Sequence, residues 1–435
     1  MKQYDAIIIG FGKGGKTLAG AFAAAGKHIA LIEQSEQMYG GTCINVGCIP
    51  SKTLKTRAEQ SAKMGGSFSE KARRYTEAVL ERERVTSMLR EKNYRKLASH
   101  PNIEILNGRA SFQGKNQVEV TFTGGKTELL EAELIFINTG SSPRIPAIAG
   151  VSESRYVYTS ETLMALSRLP ERLTIIGGGY IGLEFASMYA NFGAKVTILQ
   201  DGNVFLPRED EEIAAEVLKR LQQLGVEVLF SANTRSIADR NESALLTVET
   251  EQGMREIEAD AVLLAAGRIP NTADLNLSAA GIALTERGAV VTEEHLRTTN
   301  PAVYAMGDVT GGLQFTYISL DDFRIVKSAV LGGGERTTSN RGAVPYSVFL
   351  DPPFSRVGLR EKDAIEQGYR IKVGKMPAAA IPKAQVLNET AGLLKVIVDA
   401  QTDRILGAHL FCAESHEMIN LIKLAIDAKI PYQTQ

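Results

Sequence analysis

Residues 4–33 read YDAIIIGFGKGGKTLAGAFAAAGKHIALIE. An apolar run over residues 4–9 leads into a glycine-rich turn. A small-residue helix is predicted over 17–25 and a second strand over 28–32, with Glu33 at its end. The glycines stand as G-x-G-x-x-G at Gly10, Gly12 and Gly15. In that spacing the first permits a tight turn, the second lets backbone approach a pyrophosphate, and the third lets helix and strand pack closely. The N–H groups and dipole at the helix start favour an anion there. A carboxylate at the end of the second strand accepts hydrogen bonds from a ribose diol. Each feature is common alone; strand, glycines, helix, strand and acid in order specify a dinucleotide-binding unit.

The pattern recurs further along. Residues 172–176 form a strand, followed by Gly177, Gly179 and Gly182, a helix to residue 191, and a strand over 195–199 that ends in Gln200. Two such units in one chain suit the passage of electrons between two dinucleotides. The expected class is α/β: two Rossmann-like dinucleotide-binding domains and a C-terminal α+β dimerisation domain. Strands predicted at 103–108, 117–122 and 133–138 close the first domain, and 67–99 reads as a long surface helix with a solvated charged face. Residues 331–342, rich in Gly, Thr and Ser, read as a linker. Beyond it, 345–349, 370–376, 393–399 and 405–411 alternate as strands of an antiparallel sheet. The expected division is 1–147 and 271–338 for the first domain, 148–270 for the second and 339–435 for the interface. A sheet with one face unused in its own chain needs a partner, so a homodimer through 341–435 is expected.

Composition narrows the partners. The chain of 435 residues has 49 Lys and Arg against 50 Asp and Glu, which gives no reason to expect nucleic acid or an anionic membrane. Its longest apolar stretches, such as 261–267 and 393–398, are too short for a bilayer. The opening residues lack the apolar region and cleavage site of a secretory signal. Three cysteines are too few for a secreted disulfide framework, so a reducing cytoplasm is expected.

Two of those cysteines, Cys43 and Cys48, lie five apart in GGTCINVGCIPSK, residues 40–52. A regular helix would hold such positions roughly 8–9 Å apart, whereas a disulfide needs less than about 7 Å. A bond therefore demands a bent backbone, which Gly47 and Pro50 can supply. Strain eases reduction and suits a working redox pair. The string alone leaves open a redox pair, two inert cysteines, or half of a metal site. A zinc site wants four ligands, and no other Cys or His clusters nearby, so no metal is expected. The third, Cys412, reads as a small buried core residue.

Taken together, these ordered motifs resemble the flavoprotein disulfide reductases, the family of dihydrolipoamide dehydrogenase, glutathione reductase and mercuric reductase. The likeness also rests on Asn138-Thr139-Gly140, GGGYIGLE (177–184), AAGRIPN (265–271) and YAMGDVTGG (304–312). Within the family, 312–326 and 345–358 look most like the bacterial reactive-chlorine-resistance flavoproteins, also described as hypothiocyanous acid reductases. The resemblance implies FAD and NAD(P)H as cofactors. Gly10, Gly12, Gly15 and Glu33 would hold the ADP half of FAD, with Gly41, Thr42, Ala110 and Gly140 approaching it. Asp308 would contact its ribityl–phosphate region, and Gln314, Phe315 and Thr316 would face the flavin. A helix starting there would also stabilise negative charge on a reduced flavin. Gly177, Gly179, Gly182 and Gln200 would take the nicotinamide nucleotide, and Gly267 and Arg268 complete the cofactor-binding set. Lys52 would pair with Glu184, and Tyr180 would lie over the flavin until nicotinamide displaces it. Cys48 would lie against the flavin, and Cys43 would be the outer thiol, with a lowered pKa.

The sequence departs from the family in lacking its closing His-Pro segment before Gln435, and a longer natural chain is expected. Neutral Gln200, with Arg208 eight residues on, permits either nicotinamide with a preference for NADH. The leading expectation is an NAD(P)H-dependent enzyme that reduces a small oxidant, hypothiocyanous acid or a related reactive chlorine species, in oxidative stress. The alternatives are dihydrolipoamide dehydrogenase, a metal-ion reductase and a redox-sensing binding protein. The mercuric enzyme's extra metal-binding cysteine pair is missing here.

Overall fold

The computed structural model describes residues 1–434; Gln435, the last residue of the expected interface segment, lies outside the described residues. Two compact units emerge. The first comprises Met1–Thr53, Leu80–Arg144 and Arg268–Arg341, the second Leu54–Val79, Ile145–Gly267 and Gly342–Gln435.

The first unit is built on β1 (Lys2–Ile9), with β2 (Ile29–Glu33) and β5 (Thr127–Ile137) parallel on either side. The parallel order is β3 (Ile103–Phe112), β2, β1, β5 and β16 (Val303–Ala305). Strands β3 and β5 are long enough to serve twice. Their other halves pair antiparallel with β4 (Gln117–Phe122). Both faces of the parallel part are buried, which explains the unbroken apolar runs. Ile7, Ile9 and Ile32 enter one core, and Ala6, Ile8 and Leu31 enter another, where α1 (Lys13–Ala24) contributes Leu18 and Phe22. A short ladder of β6 (Ser141–Pro143) with β15 (Arg268–Pro270) and the helix α8 (Thr316–Leu331) complete the unit. The predicted linker after α8 lacks regular structure but is tied down: Arg336 and Arg341 pair with Asp321, and Arg341 also reaches Asp322 at 2.6 Å.

The second unit repeats the plan. Its parallel sheet runs β10 (Glu227–Leu229), β9 (Lys195–Leu199), β8 (Arg172–Ile176), β14 (Ala261–Leu264) and β7 (Val157–Thr159). Helices α5 (Ser160–Leu163), α6 (Tyr180–Phe192) and α7 (Glu211–Gln223) bury Leu163, Leu183, Ala186, Ile213 and Val217 in one core. On the other face lies an antiparallel meander of β11 (Asn233–Arg240), β12 (Ser243–Thr250) and β13 (Gly253–Ala259). A separate antiparallel sheet runs β17 (Tyr346–Val348), β18 (Phe354–Gly358), β21 (Ile405–Phe411), β20 (Leu393–Asp399) and β19 (Ile371–Pro377). Short helices α9 (Glu361–Glu366) and α10 (Pro382–Leu387) flank it, and α11 (Ser415–Asp427) packs Ile419 against Val357, Ala408 and Cys412. On alternate residues, in register across three strands, come Arg356, His409 and Lys395.

Between β2 and β3 lie α2 (Thr42–Asn45), α3 (Cys48–Met64) and α4 (Phe68–Ala98). The long helix α4 is less exposed than its charges suggest. Tyr75 is fully buried, its hydroxyl bonded to Leu166 O at 2.8 Å and meeting the Tyr189 hydroxyl at 3.0 Å. No helix among the described residues is long and apolar enough to cross a membrane.

Candidate active site

The helix carrying Cys43 stops before the helix carrying Cys48 begins. Asn45 ends α2, Val46 leaves the helical region, and α3 starts at Cys48. This break, rather than Pro50, brings the cysteines together. Pro50 sits in the first turn of α3, where a missing N–H disrupts nothing. Gly47 is needed here: a Cβ would lie 3.0 Å from Thr42 O. All three cysteines stand as thiols. Cys43 and Cys48 are hydrogen-bonded to each other, and Cys48 Sγ lies 3.4 Å from Thr316 Oγ1. Thr316 is the first residue of α8, so the pair meets the positive end of a four-turn helix.

The expectation of a depressed Cys43 pKa is corrected. Its hydrogen bond with Cys48, then burial, then the Cys48 charge push this thiol up. Two thiols this close lose their protons as one coupled system, so the second departs only at high pH. The segment around Cys43 is clamped from two helices. Lys16 of α1 donates to Gly40 O at 3.2 Å and Asn93 Oδ1 at 2.7 Å, and Arg90 of α4 donates to Asn45 Oδ1 at 2.8 Å. Burial lowers the Lys16 pKa to about 8. None of Lys16, Arg90 and Asn93 was identified from sequence, because only the fold brings positions 16, 90 and 93 to this segment.

The first glycine turn closes on Asn138. A Cβ at Gly12 would lie 2.5 Å from Asn138 Oδ1, and the same oxygen accepts Gly15 N–H at 2.8 Å. Asn138 Nδ2 donates to Met306 O at 2.7 Å. Gly41, at φ 79°, would set a Cβ 2.7 Å from Gly12 Cα, so the cysteine segment leaves directly from this turn. Thr42 follows as the first residue of α2. Glu33 is buried at the end of β2 and accepts Phe11 N–H at 3.0 Å and Ser35 N–H at 3.2 Å. Burial pushes its pKa up. Asp308, raised likewise by burial, accepts from Ser141 Oγ at 2.8 Å. Arg268 donates to Ser141 Oγ at 2.9 Å, which places it with Asp308 in the first unit. Ala110 turns its side chain into the core of β3. Gly140, at φ 72°, has nothing within 4 Å of a would-be Cβ. A buried acid beyond a closed turn, with open backbone at Gly140, fits a dinucleotide such as FAD. Phe315 caps α8, its ring stacked on Tyr317, and Gln314 is exposed just before it.

The second turn is built otherwise. Gly177 and Gly182 pack on backbone, but Gly179 has nothing within 4 Å of a Cβ, and neither has Gly267. As at α1, no N-cap side chain closes α6 and its first turn holds no acid. Gln200 folds back, its Nε2 donating to Val204 O at 2.5 Å. This open backbone fits a nicotinamide nucleotide. Glu184 Oε1 accepts Phe349 N–H at 2.8 Å in this unit, whereas Lys52 lies one turn beyond Cys48 in the first. Tyr180 begins α6, and its hydroxyl donates to Glu209, whose side chain is completely buried. Glu209 carried no recognisable signal in the sequence, and Tyr346 and Arg356 were read only as part of the stretch 345–358.

Residues 4–322 match the pyridine nucleotide-disulphide oxidoreductase family, and residues 344–435 match its dimerisation domain, which supports a homodimer. The chain is 49% identical to the probable pyridine nucleotide-disulfide oxidoreductase RclA of Escherichia coli strain K12, over 99% of this chain and 94% of that protein. The solved Cu(II) complex of the HOCl-induced flavoprotein disulfide reductase RclA from Escherichia coli superposes with a TM-score of 0.93 at 49% identity, covering 100% of this chain and 95% of that one. Mercuric reductase of Staphylococcus aureus is 33% identical over 98% of this chain and 77% of that protein. The chain therefore belongs to the pyridine nucleotide-disulphide oxidoreductases, enzymes that use FAD and NAD(P)H.

Proposed function

We propose that the protein takes electrons from NAD(P)H, by way of FAD, into the Cys43–Cys48 pair and delivers them to a small oxidant, hypothiocyanous acid or a related reactive chlorine species. The observation that carries this is the hydrogen-bonded thiol pair at the α2–α3 break, beside Thr316 at the start of α8. When bound, FAD and NAD(P)H supply two-electron transfer; the chain supplies binding, orientation and the thiols. Gly10, Gly12, Gly15, Glu33, Gly41, Thr42, Gly140 and Asp308 would hold the first, with Lys52, one turn beyond Cys48, in support. Gly177, Gly179, Gly182 and Gln200 would hold the second.

Cys43 acts as the outer nucleophile. Its thiolate attacks the electrophilic sulfur of hypothiocyanous acid, forming a sulfur–sulfur bond while hydroxide leaves and is protonated to water. The Cys48 thiolate then attacks Cys43 sulfur, forming the disulfide and expelling thiocyanate. Two thiols are oxidised, and the oxidant accepts two electrons. Thiocyanate is a weak base, so its departure needs little proton donation, unlike the basic thiolates of glutathione or lipoamide. A cytoplasmic homodimer, joined through residues of the dimerisation segment, completes the reading.

The test is NAD(P)H oxidation with hypothiocyanous acid, oxidised glutathione and lipoamide, together with thiol counting in single-cysteine variants. Preference for the first acceptor, lost in both Cys43→Ser and Cys48→Ser, is expected. Faster turnover with glutathione or lipoamide overturns the substrate assignment. A second reading has a metal ion as the accepting substrate. Likeness to mercuric reductase, and the Cu(II) bound to the Escherichia coli relative, favour it. Anaerobic reduction of Cu(II) by the NAD(P)H-reduced enzyme, faster than that of hypothiocyanous acid, would move the assignment there.

A further inference from the structure

A buried acid and two tyrosines meet beside the second glycine turn, all within the second unit. The Glu209 carboxylate accepts from the Tyr180 hydroxyl and, through the same oxygen, from the Tyr346 hydroxyl at 2.6 Å. Arg356 Nη1 lies 3.3 Å from the other oxygen and balances its charge. The two tyrosine hydroxyls are 3.4 Å apart.

The acid side of this cluster is held firmly. Arg356 donates to Arg208 O at 2.8 Å, fixing the backbone just before Glu209. Asp210, just after it, is gripped by buried Lys395 at 2.8 and 2.9 Å. Tyr180 is placed differently. It opens α6, next to Gly179, around which there is open space. If the Tyr180 ring swings out, Glu209 keeps both Tyr346 and Arg356, so no buried charge is stranded. An anchored acceptor, a donor beside open space and a second donor that stays behind make a latch with two stable states.

We propose that Glu209 is a positioning residue for nicotinamide entry: it latches the Tyr180 ring closed, and Tyr346 keeps the acid satisfied when the ring is displaced. The inference rests on the reading of Tyr180 as the residue that a nicotinamide displaces. Opening must break one charge-assisted hydrogen bond, so its loss changes apparent nucleotide affinity by about tenfold.

The experiment uses the FAD-loaded protein and measures KM and kcat for NADH and NADPH, with ADP-ribose inhibition as a probe lacking nicotinamide. Tyr180→Phe and Glu209→Gln remove the latch from its two sides, so folding trouble in one does not block the test. Each is expected to lower KM about tenfold, and the double variant no further, because both delete one interaction. Tyr346→Phe is expected to raise KM, since Glu209 then depends more on Tyr180. ADP-ribose inhibition is expected to stay constant throughout. Additive effects in the double variant, or equal shifts in ADP-ribose inhibition, overturn the latch. If Tyr180→Ala alters KM and Glu209→Gln does not, the latch falls while the reading of Tyr180 stands. If neither alters it, the reading of Tyr180 falls and the latch with it.

Discussion

The two glycine turns share a motif and a strand order, yet one is closed by the protein and the other is left open. In the first, Asn138 fills the space against Gly12 and takes the N–H of Gly15, and Ser319 takes that of Gly14 at 3.1 Å. In the second, nothing occupies the space before Gly179, and the one side chain that fills the turn is Gln200, against Gly178. The strand ends differ in step: a buried acid, Glu33, against an amide, Gln200, folded onto its own loop. This is the difference expected between a seat for a cofactor that stays and one for a nucleotide that enters and leaves. A prebuilt turn loses little order on binding, whereas an open one admits exchange. The lesson is that the motif reports the turn, while residues brought from elsewhere decide what the turn is for.

The comparison is most exposed at Asn138. Asn138→Ala strands the buried Gly15 N–H and Met306 carbonyl, a loss of about 2–5 kcal/mol. The expected outcome is a lower temperature of flavin release on heating, with NAD(P)H KM unchanged in whatever protein retains flavin. An unaltered release temperature would show that the closed turn is not held by this residue.

The units are separable by pH next. His409 is completely buried in the second unit, and burial, with Arg356 opposite, lowers its pKa to about 4 from the ordinary imidazole value of about 6.5. Between those values the unfolded chain binds a proton that the folded one refuses. The contribution of His409 to stability therefore falls as pH drops from about 6.5 to about 4, by about 3 kcal/mol, and is flat above. Thermal unfolding against pH should show that slope in the parent and a shallower one in His409→Gln. Equal slopes in both would remove His409 from the account.

Gly179→Ala gives the direct contrast. With open space before it, the variant should unfold within about 0.5 kcal/mol of the parent. Its KM for NAD(P)H should rise about tenfold, or about 1.4 kcal/mol, with flavin content intact. Gly12→Ala should do the reverse and lose flavin. Identical behaviour of the two variants would erase the distinction between the turns. The smallest effect is expected at Gln200. Glu in its place cannot donate to Val204 O and can turn to a ribose 2′-hydroxyl, shifting preference toward NADH by about threefold to tenfold. Paired NADH and NADPH kinetics measure it.

What the chain declares locally was legible. The runs at 4–9 and 172–176, with their glycines, became β1 and β8 within two residues, because a buried parallel strand needs an unbroken apolar string. The nearness of Cys43 to Cys48 was legible too, and of the two residues expected to bend the backbone only Pro50 was misassigned. A proline in a first turn reads as a breaker in sequence and behaves as an ordinary helical residue in place. Asn138 and Ser319, or Glu209 and Tyr346, could not be paired beforehand, since the members of each pair are far apart in the chain and nothing in the sequence links one to the other. The meander β11–β13 was passed over because its buried Ile237, Leu246 and Val248 are interleaved with charges typical of loops.

The placement of β16 has a consequence for how the protein is made. Its partner β5 ends at Ile137, but β16 begins only at Val303, with the whole of a second parallel sheet encoded between them. At ribosomal speeds of about 5–20 residues per second, that interval lasts on the order of 10–30 s. Throughout it, β5 presents an unpaired edge and Asn138 lacks the Met306 carbonyl that will hold it. The nascent first unit must therefore wait, incomplete, while the second parallel sheet is translated. A ribosome-stalled chain ending before Val303 should be a better client for holding chaperones than one that has passed Arg341.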